Sequence, residues 1–146
     1  MSQRQPAERD ELDRLVDRSV DDLRRVAKKD QPFFLYVPLA SPHTPWVPNQ
    51  PFRGTSQAGT YGDFVHETDA AIGRILDALD RHDLTGNTLV IVTSDNGSRA
   101  AGEGGSNGPL RGVKGETWEG GMRVPLSARW PGRIPAGTTS RQLITA

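Results

Sequence analysis

The sequence has no cysteine among its 146 residues, which excludes disulfide bonds, thiolate metal sites and a cysteine nucleophile within this chain. No apolar run approaches the ~20 residues that a membrane-spanning helix needs. Residues 1–13 are polar and charged, so they do not have the pattern of a secretory signal. The 18 basic and 18 acidic residues balance, and we therefore expect neither a nucleic-acid partner nor a membrane partner.

Glycine and proline are plentiful, with 16 and 11 residues respectively, and they cluster in residues 42–62 and 97–137. These two regions are predicted to be long loops, which in a compact domain are usually functional or disordered.

Apolar periodicity predicts two helices, at residues 8–29 and 61–82. Short apolar runs predict three buried strands, at residues 33–39, 88–94 and 124–130. Helices that alternate with short strands are typical of an α/β fold with a mostly parallel sheet. Because three strands make a thin sheet for such a fold, we expect the chain to be part of a larger domain.

The most informative segment is Thr93–Gly97, with the sequence T-S-D-N-G, at the end of the second predicted strand. Ligands bind at the carboxyl ends of strands in open α/β sheets. Asp95 and Asn96 offer hard oxygen ligands of the kind that Ca²⁺ and Mg²⁺ take. The alternative is a plain β-turn, because Asp-Asn-Gly is also favourable turn chemistry.

Two further loops are predicted to reach the same edge of the sheet, and they carry His43, Arg111 and Lys114. Together with a divalent cation, these groups suit an oxyanion ester, whose non-bridging oxygens would accept hydrogen bonds as charge develops. A cationic His43 could also protonate a leaving oxygen. The alternative is that His43 is a loop histidine bonded to backbone and that the two cations are solvated.

Four polar residues of the second helix are predicted to be structural or solvated. Two histidines are assigned structural roles, one near the helix C-terminus, where a cation is favoured by the helix dipole. Two acidic residues are predicted to be solvated, despite their closeness. The four residues are His66, Glu67, Asp69 and His82.

Several segments in order resemble the sulfatases of the alkaline phosphatase superfamily, in the second half of their catalytic domain. The resemblance runs from about residue 30 to the C-terminus, and any single piece of it is weakly specific. The segments are Pro32–Tyr36, Pro42–Pro45, Asp69–Leu76, Thr88–Gly97, Leu110–Pro125 and Arg129–Gly132.

The resemblance implies a partial alkaline-phosphatase-like sheet with flanking helices. It implies that Asp95 and Asn96 are metal ligands, for Ca²⁺ or Mg²⁺. It further implies that Lys114 contacts the sulfate and that His43 binds it near the leaving oxygen. His43 and Lys114 are thus the catalytic candidates, and Arg111 joins them as a substrate-binding candidate.

The chain departs from the family pattern at the nucleophile. Sulfatases use a formylglycine made from a Cys/Ser-x-Pro-x-Arg motif, and neither residue stands in that motif here. The family's first pair of metal-binding aspartates is also absent, as are the lysine and histidine that follow the nucleophile. The resemblance therefore implies that residues 1–146 are the C-terminal portion of a catalytic domain, with a helix at 1–30 and an α/β core at 31–146. The N-terminal portion is expected to be missing.

The intact enzyme is expected to hydrolyse a sulfate ester of a small molecule or a sulfated glycan, and the isolated chain is expected to be inactive. One alternative is a non-catalytic remnant that binds a metal, an anion or a chain carrying the missing half. Another is a phosphodiesterase or phosphonate hydrolase of the same superfamily. The sequence predicts neither the substrate nor the compartment, although many sulfatases are exported.

Overall fold

The computed structural model describes residues 6–99 and 105–144, with side chains described from residue 11 onward. No helix in those ranges is both long and apolar enough to cross a membrane. Single 3-10 turns lie at Gln50–Phe52 and Thr85–Asn87. The helices are α1 (Pro6–Val26), α2 (Gly59–Arg81) and α3 (Glu119–Met122), and the strands are β1 (Val90–Thr93) and β2 (Leu126–Arg129).

The two long helices pack against each other and point in the same direction. The first half of α1 meets the middle of α2, and the second half of α1 meets the end of α2, in two core clusters. Arg74 of α2 reinforces the contact by pairing with Asp13 and Asp17 of α1. The buried members of the clusters are Leu12, Val16 and Ala71 in the first, and Leu23, Ala78 and Leu79 in the second.

Residues 33–39 make no strand-pairing hydrogen bond with any described residue, so the buried strand predicted there is not found. Their burial alternates with a period of two, as expected for extended backbone. Phe33 and Leu35 pack on the helix pair. Phe34 and Tyr36 point the other way and are 92% and 75% exposed. One face of the segment is therefore packed against the helix pair, and the other is exposed to solvent.

The described strands form one antiparallel pair, in which Val90 lies opposite Arg129 and Thr93 lies opposite Leu126. The prediction of a mostly parallel sheet is wrong for this pair. A parallel return requires a crossover, usually made by a helix packed on the sheet. The described part of the connection between β1 and β2 instead folds as loops with the four-residue α3, so β2 returns alongside β1 in the opposite direction.

The predicted elements are otherwise found close to their expected places. Both long helices are confirmed, with ends displaced by at most three residues from the predicted ends. Two of the three predicted strands form, at four residues each, and both are shorter than predicted. The prediction that they are buried is wrong, because only Val90 among their residues is half-buried and the others are exposed. A two-stranded sheet is marginal by itself, and the fold depends mainly on the helix pair.

Candidate functional site

Two loops meet just beyond the carboxyl end of β1, and the side chain of Asn107 joins them. Ser98 N–H donates to Asn107 Oδ1 at 2.7 Å. Asn107 Nδ2 donates in return to the carbonyl oxygen of Ser98 and also to that of Gly112, at 3.0 Å each. One amide group therefore fixes the loop after β1 against the loop that carries Lys114.

Main-chain hydrogen bonds complete this junction. Lys114 N–H donates to the Ser98 carbonyl at 3.0 Å, and Gly97 N–H donates to the Gly121 carbonyl at 3.0 Å. The backbones lie so close that a Cβ atom on Gly97 would stand 1.8 Å from the carbonyl oxygen of Gly120. Only glycine fits there, because no methyl group can occupy that distance from a backbone oxygen.

The two predicted metal ligands stand at the start of this junction. Asp95 is exposed and Asn96 is half-buried, and Ser94 Oγ donates to the main-chain oxygen of Asn96 at 2.9 Å. Their side-chain oxygens are the hard donors that Ca²⁺ and Mg²⁺ prefer, but Ca²⁺ takes six to eight ligands. The described ranges contain no group of three or more acidic, histidine or cysteine side chains that could hold a metal ion. Asp95 and Asn96 alone could supply only part of the ligands that such an ion takes.

Arg111 is held within the same loop by an aromatic ring. Its guanidinium carbon lies 3.7 Å from the centroid of the Trp118 ring, within the range of a cation–π interaction. Its carbonyl oxygen accepts from Gly120 N–H at 2.7 Å. The junction thus places one guanidinium and the half-buried Lys114 on a single ordered loop.

Lys114 has no carboxylate within ion-pair distance among the residues that the structure describes. The Lys114 ammonium is therefore not engaged in an ion pair with any of these residues.

His43 lies on another loop, the one that follows residues 33–39. It is exposed, and its Nδ1 hydrogen bonds to the Thr44 carbonyl at 2.8 Å. Trp46 Nε1 donates to the Pro42 carbonyl at 3.0 Å and closes the loop. Within the described ranges, no hydrogen bond joins His43 to Asp95 or Lys114. The structure thus brings the Lys114 loop to the Asp95 loop and leaves His43 on a separate loop.

The loop beyond His43 is attached to α2 by two carboxylates that the sequence did not single out as structural. Glu67 is only 5% exposed and accepts from the main-chain N–H and the side-chain amide of Asn49, at 2.9 and 2.7 Å. The prediction that Glu67 is solvated is therefore wrong, whereas Asp69 is exposed as expected. A signal was present, because Glu67 falls three and four residues from Phe64 and Ala71 on the apolar stripe.

The second of these carboxylates belongs to Asp63, which accepts from the N–H groups of Gly54 and Ser56 at 2.8 Å each. These two bonds favour the charged form and lower the pKa of Asp63 below its ordinary value of 3.8, against an opposing effect of burial. His66 bonds to Thr55 Oγ1 at 2.8 Å and so also holds this loop. Together these contacts order residues 49–56.

Comparison with known protein families assigns the chain to a family. A family model described as Sulfatase matches residues 3–146, nearly the whole chain. The chain belongs to the sulfatase family. The resemblance seen in the sequence is confirmed.

Named relatives agree with this assignment. An N-acetylgalactosamine-6-sulfatase of Canis lupus familiaris is 48% identical over 128 residues, which cover 86% of this chain and 24% of that protein. A steryl-sulfatase of Rattus norvegicus is 47% identical over 131 residues, which cover 85% of this chain and 22% of that protein. The chain thus spans about a quarter of the length of these curated relatives.

Solved structures share the fold of this chain. Ps i-CgsB superposes with a TM-score of 0.79 at 34% identity, over 86% of this chain and 29% of that chain. The PsFucS1 sulfatase from Pseudoalteromonas sp. superposes with a TM-score of 0.76 at 35% identity, over 84% of this chain and 25% of that chain.

Proposed function

We propose that these 146 residues are the C-terminal portion of a sulfatase catalytic domain, with a helix at 1–30 and an α/β core at 31–146. More specifically, we propose that they form one part of an alkaline-phosphatase-like sheet. The observation that carries it is the Asn107 junction, because it fixes the loop of Lys114 to the loop that follows Asp95 and Asn96.

In this proposal Asp95 and Asn96 hold a Ca²⁺ or Mg²⁺ ion together with ligands from outside this chain. The bound ion would neutralise charge on a sulfate oxygen. Lys114 and Arg111 bind the other non-bridging oxygens, since both are cations on one ordered loop. His43 orients the ester and gives a proton to the leaving oxygen.

The sequence contains no Cys/Ser-x-Pro-x-Arg motif, so it holds no source of the formylglycine nucleophile. We therefore propose that the isolated chain does not hydrolyse sulfate esters. The nucleophile and the first pair of metal-binding aspartates would come from residues outside these 146.

The substrate proposed for the whole protein is a sulfate ester, and more specifically a sulfated glycan. An N-acetylgalactosamine-6-sulfatase is among the relatives, and the structure of Ps i-CgsB was also solved in complex with a neocarrahexaose. A small-molecule sulfate ester is the alternative, favoured by the steryl-sulfatase relative.

The first experiment is to sequence the DNA upstream of the Met1 codon. We expect an in-frame continuation that encodes an Asp-Asp pair and a Cys/Ser-x-Pro-x-Arg motif. A stop codon with no such coding sequence nearby would favour the non-catalytic remnant, which could bind only a metal, an anion or a partner chain.

The second experiment measures 4-nitrophenyl sulfate hydrolysis with and without calcium. The 146-residue chain should be inactive, and the extended protein should turn over. Lys114→Ala or Asp95→Ala in the extended protein should abolish turnover. Lys28→Ala should not, because Lys28 is an exposed residue beyond the end of α1. Turnover by the 146-residue chain alone would contradict the proposal. Preference for a 4-nitrophenyl phosphonate over the sulfate would favour a phosphonate hydrolase.

A further inference from the structure

The loop that carries His43 is anchored at both of its ends and is held in between by packing. Before it, Leu39 packs against the first core cluster, and after it, Val47 is buried. Every hydrogen bond that residues 40–46 make with the described chain stays inside that segment. The position of His43 relative to the rest of the chain therefore depends on packing contacts.

The indole ring of Trp46 supplies such a contact, because it joins this loop to the first turn of α2. Its Nε1–H donates to the Pro42 carbonyl at 3.0 Å and closes the loop around His43. The ring meets that of Tyr61 edge-on, with 5.2 Å between the centroids and 62° between the planes, a favourable geometry for an aromatic pair. Neither ring belongs to the two core clusters, so this contact is separate from the packing of α1 on α2.

The hydroxyl end of Tyr61 lies next to the Asn107 junction. A Cβ atom at Gly105 would stand 3.8 Å from the Tyr61 hydroxyl oxygen and 2.2 Å from Ser98 Oγ. Ser98 is the residue whose main chain Asn107 holds through both its N–H and its carbonyl group. One side chain of α2 therefore stands between the His43 loop and the junction that carries the Lys114 loop.

The main chain on which Tyr61 stands is itself fixed. A Cβ atom at Gly62 would lie 2.0 Å from Ser56 Oγ, so residues 56 and 62 are in close contact. The carboxylate of Asp63 accepts from the N–H groups of Gly54 and Ser56 at 2.8 Å each. The Tyr61 ring is therefore a firm support for Trp46.

We propose that Trp46 and Tyr61 are positioning residues for His43, which keep its loop beside the junction that joins the Asp95 and Lys114 loops. The inference rests on the proposed function, in which His43 gives a proton to the leaving oxygen. A proton donor must come within hydrogen-bond reach of its acceptor, and a small misplacement of a reacting group costs much of the rate. The aromatic pair therefore acts through His43.

The test measures the distance between the two loops in the 146-residue chain by pulsed electron spin resonance. The chain has no cysteine, so nitroxide labels attach only at Thr44→Cys and Thr117→Cys, two exposed positions beside His43 and on the Lys114 loop. The labelled parent should give one narrow distance distribution. Tyr61→Ala or Trp46→Ala should broaden it at least about twofold, because a loop that loses its packing contact moves over a larger range.

Two further variants, with a second readout, separate positioning from folding. Tyr61→Phe keeps the ring that meets Trp46 and should give the parent's distribution. Tyr36→Ala removes a tyrosine that is 75% exposed and should also leave the distribution unchanged. Circular dichroism should show the parent's helix content in every variant, since the pair lies outside the helix–helix clusters. Trp46→Ala decides the test if Tyr61→Ala loses helix content, because Trp46 lies outside the helices.

The inference would be overturned by a broad distribution in the labelled parent, or by an unchanged distribution in the folded alanine variants of the pair. Equal broadening in Tyr36→Ala would also overturn it, because the effect would not be specific to the pair. Broadening in Tyr61→Phe would do the same, because the ring contact would not hold the loop. The labels report position without substrate, so failure of the proposed role of His43 would leave every one of these distances unchanged.

Discussion

Asn107 hydrogen bonds to both main-chain groups of Ser98, accepting from its N–H at 2.7 Å and donating to its carbonyl at 3.0 Å. This two-point contact uses the acceptor oxygen and the donor nitrogen of one amide group, which an ionised carboxylate cannot reproduce because it has no donor. It also ties Ser98 to Gly112 through the same Nδ2. Asn107 therefore reinforces the main-chain hydrogen bonds that position the Lys114 loop beside the Asp95 loop.

Replacing Asn107 with alanine should lower the free energy of unfolding of the chain by about 2 kcal/mol, because three hydrogen bonds of about 0.5–1.5 kcal/mol each are lost. Urea unfolding followed by circular dichroism measures the change. Asn87→Ala is the matched control, since Asn87 is exposed and its side chain has no described partner, and it should change stability by less than about 0.5 kcal/mol. Equal effects of the two changes would show that the junction contributes nothing to folding.

Replacing Gly97 with alanine should separate the two loops. The new Cβ would stand 1.8 Å from the Gly120 carbonyl oxygen, and forced backbone shifts of this kind cost about 1–3 kcal/mol. Thermal denaturation measures the loss of stability. The protection of the Lys114 N–H against hydrogen exchange should be lost as well. Gly86→Ala is the control, because a Cβ at Gly86 meets nothing within 4 Å. A Gly97→Ala chain as stable as the Gly86→Ala chain would contradict the close approach.

Replacing Glu67 with alanine should cost about 2–3 kcal/mol, because it leaves the N–H and side-chain amide of Asn49 without their charged acceptor. The measurement is chemical unfolding, with amide exchange at Asn49 as the local readout. Asp69→Ala on the same helix is the control, since Asp69 is exposed. If both variants unfold at the same urea concentration, the hydrogen bonds between Glu67 and Asn49 do not stabilise the chain.

Acid should destabilise the loop held by Asp63. Hydrogen bonds from Gly54 and Ser56 lower the pKa of this carboxyl below 3.8, so the folded state favours its charged form more than the unfolded state does. The stabilisation is present above about pH 4 and is lost as pH falls through the lowered folded pKa. Stability measured against pH should therefore fall at acid pH in the parent chain.

An Asp63→Asn variant should show a weaker fall of stability over the same acid range, since asparagine does not titrate. Asp77→Asn is the control, because Asp77 is an exposed residue of the same helix and its replacement should keep the parent's pH dependence. A fall of unchanged steepness in Asp63→Asn would assign the acid sensitivity to other carboxylates.

The sequence predicted the two long helices and two of the three strands because their signals are local. The helices follow from apolar spacing in residues 8–29 and 61–82, and residues 33–39 alternate as an extended segment should. Glu67 shows where local reasoning failed, because a carboxylate on an apolar stripe is buried only if a distant partner, here Asn49, satisfies it. Asn107 was overlooked for the same reason, since its surroundings of glycine and proline are those of an ordinary turn.

The sequence alone determined family membership, the positions of the two long helices and of two strands, and the placement of Asp95 and Asn96 just after a strand end, because these depend on residue order and short-range periodicity. Tertiary structure decided that β2 runs antiparallel to β1, that Asn107 joins the Lys114 loop to Ser98, that Glu67 is buried, and that Phe34 and Tyr36 face outward. Each of these depends on which distant groups satisfy a hydrogen bond or cover an apolar face. Such pairings are made in space, between residues that no local pattern connects.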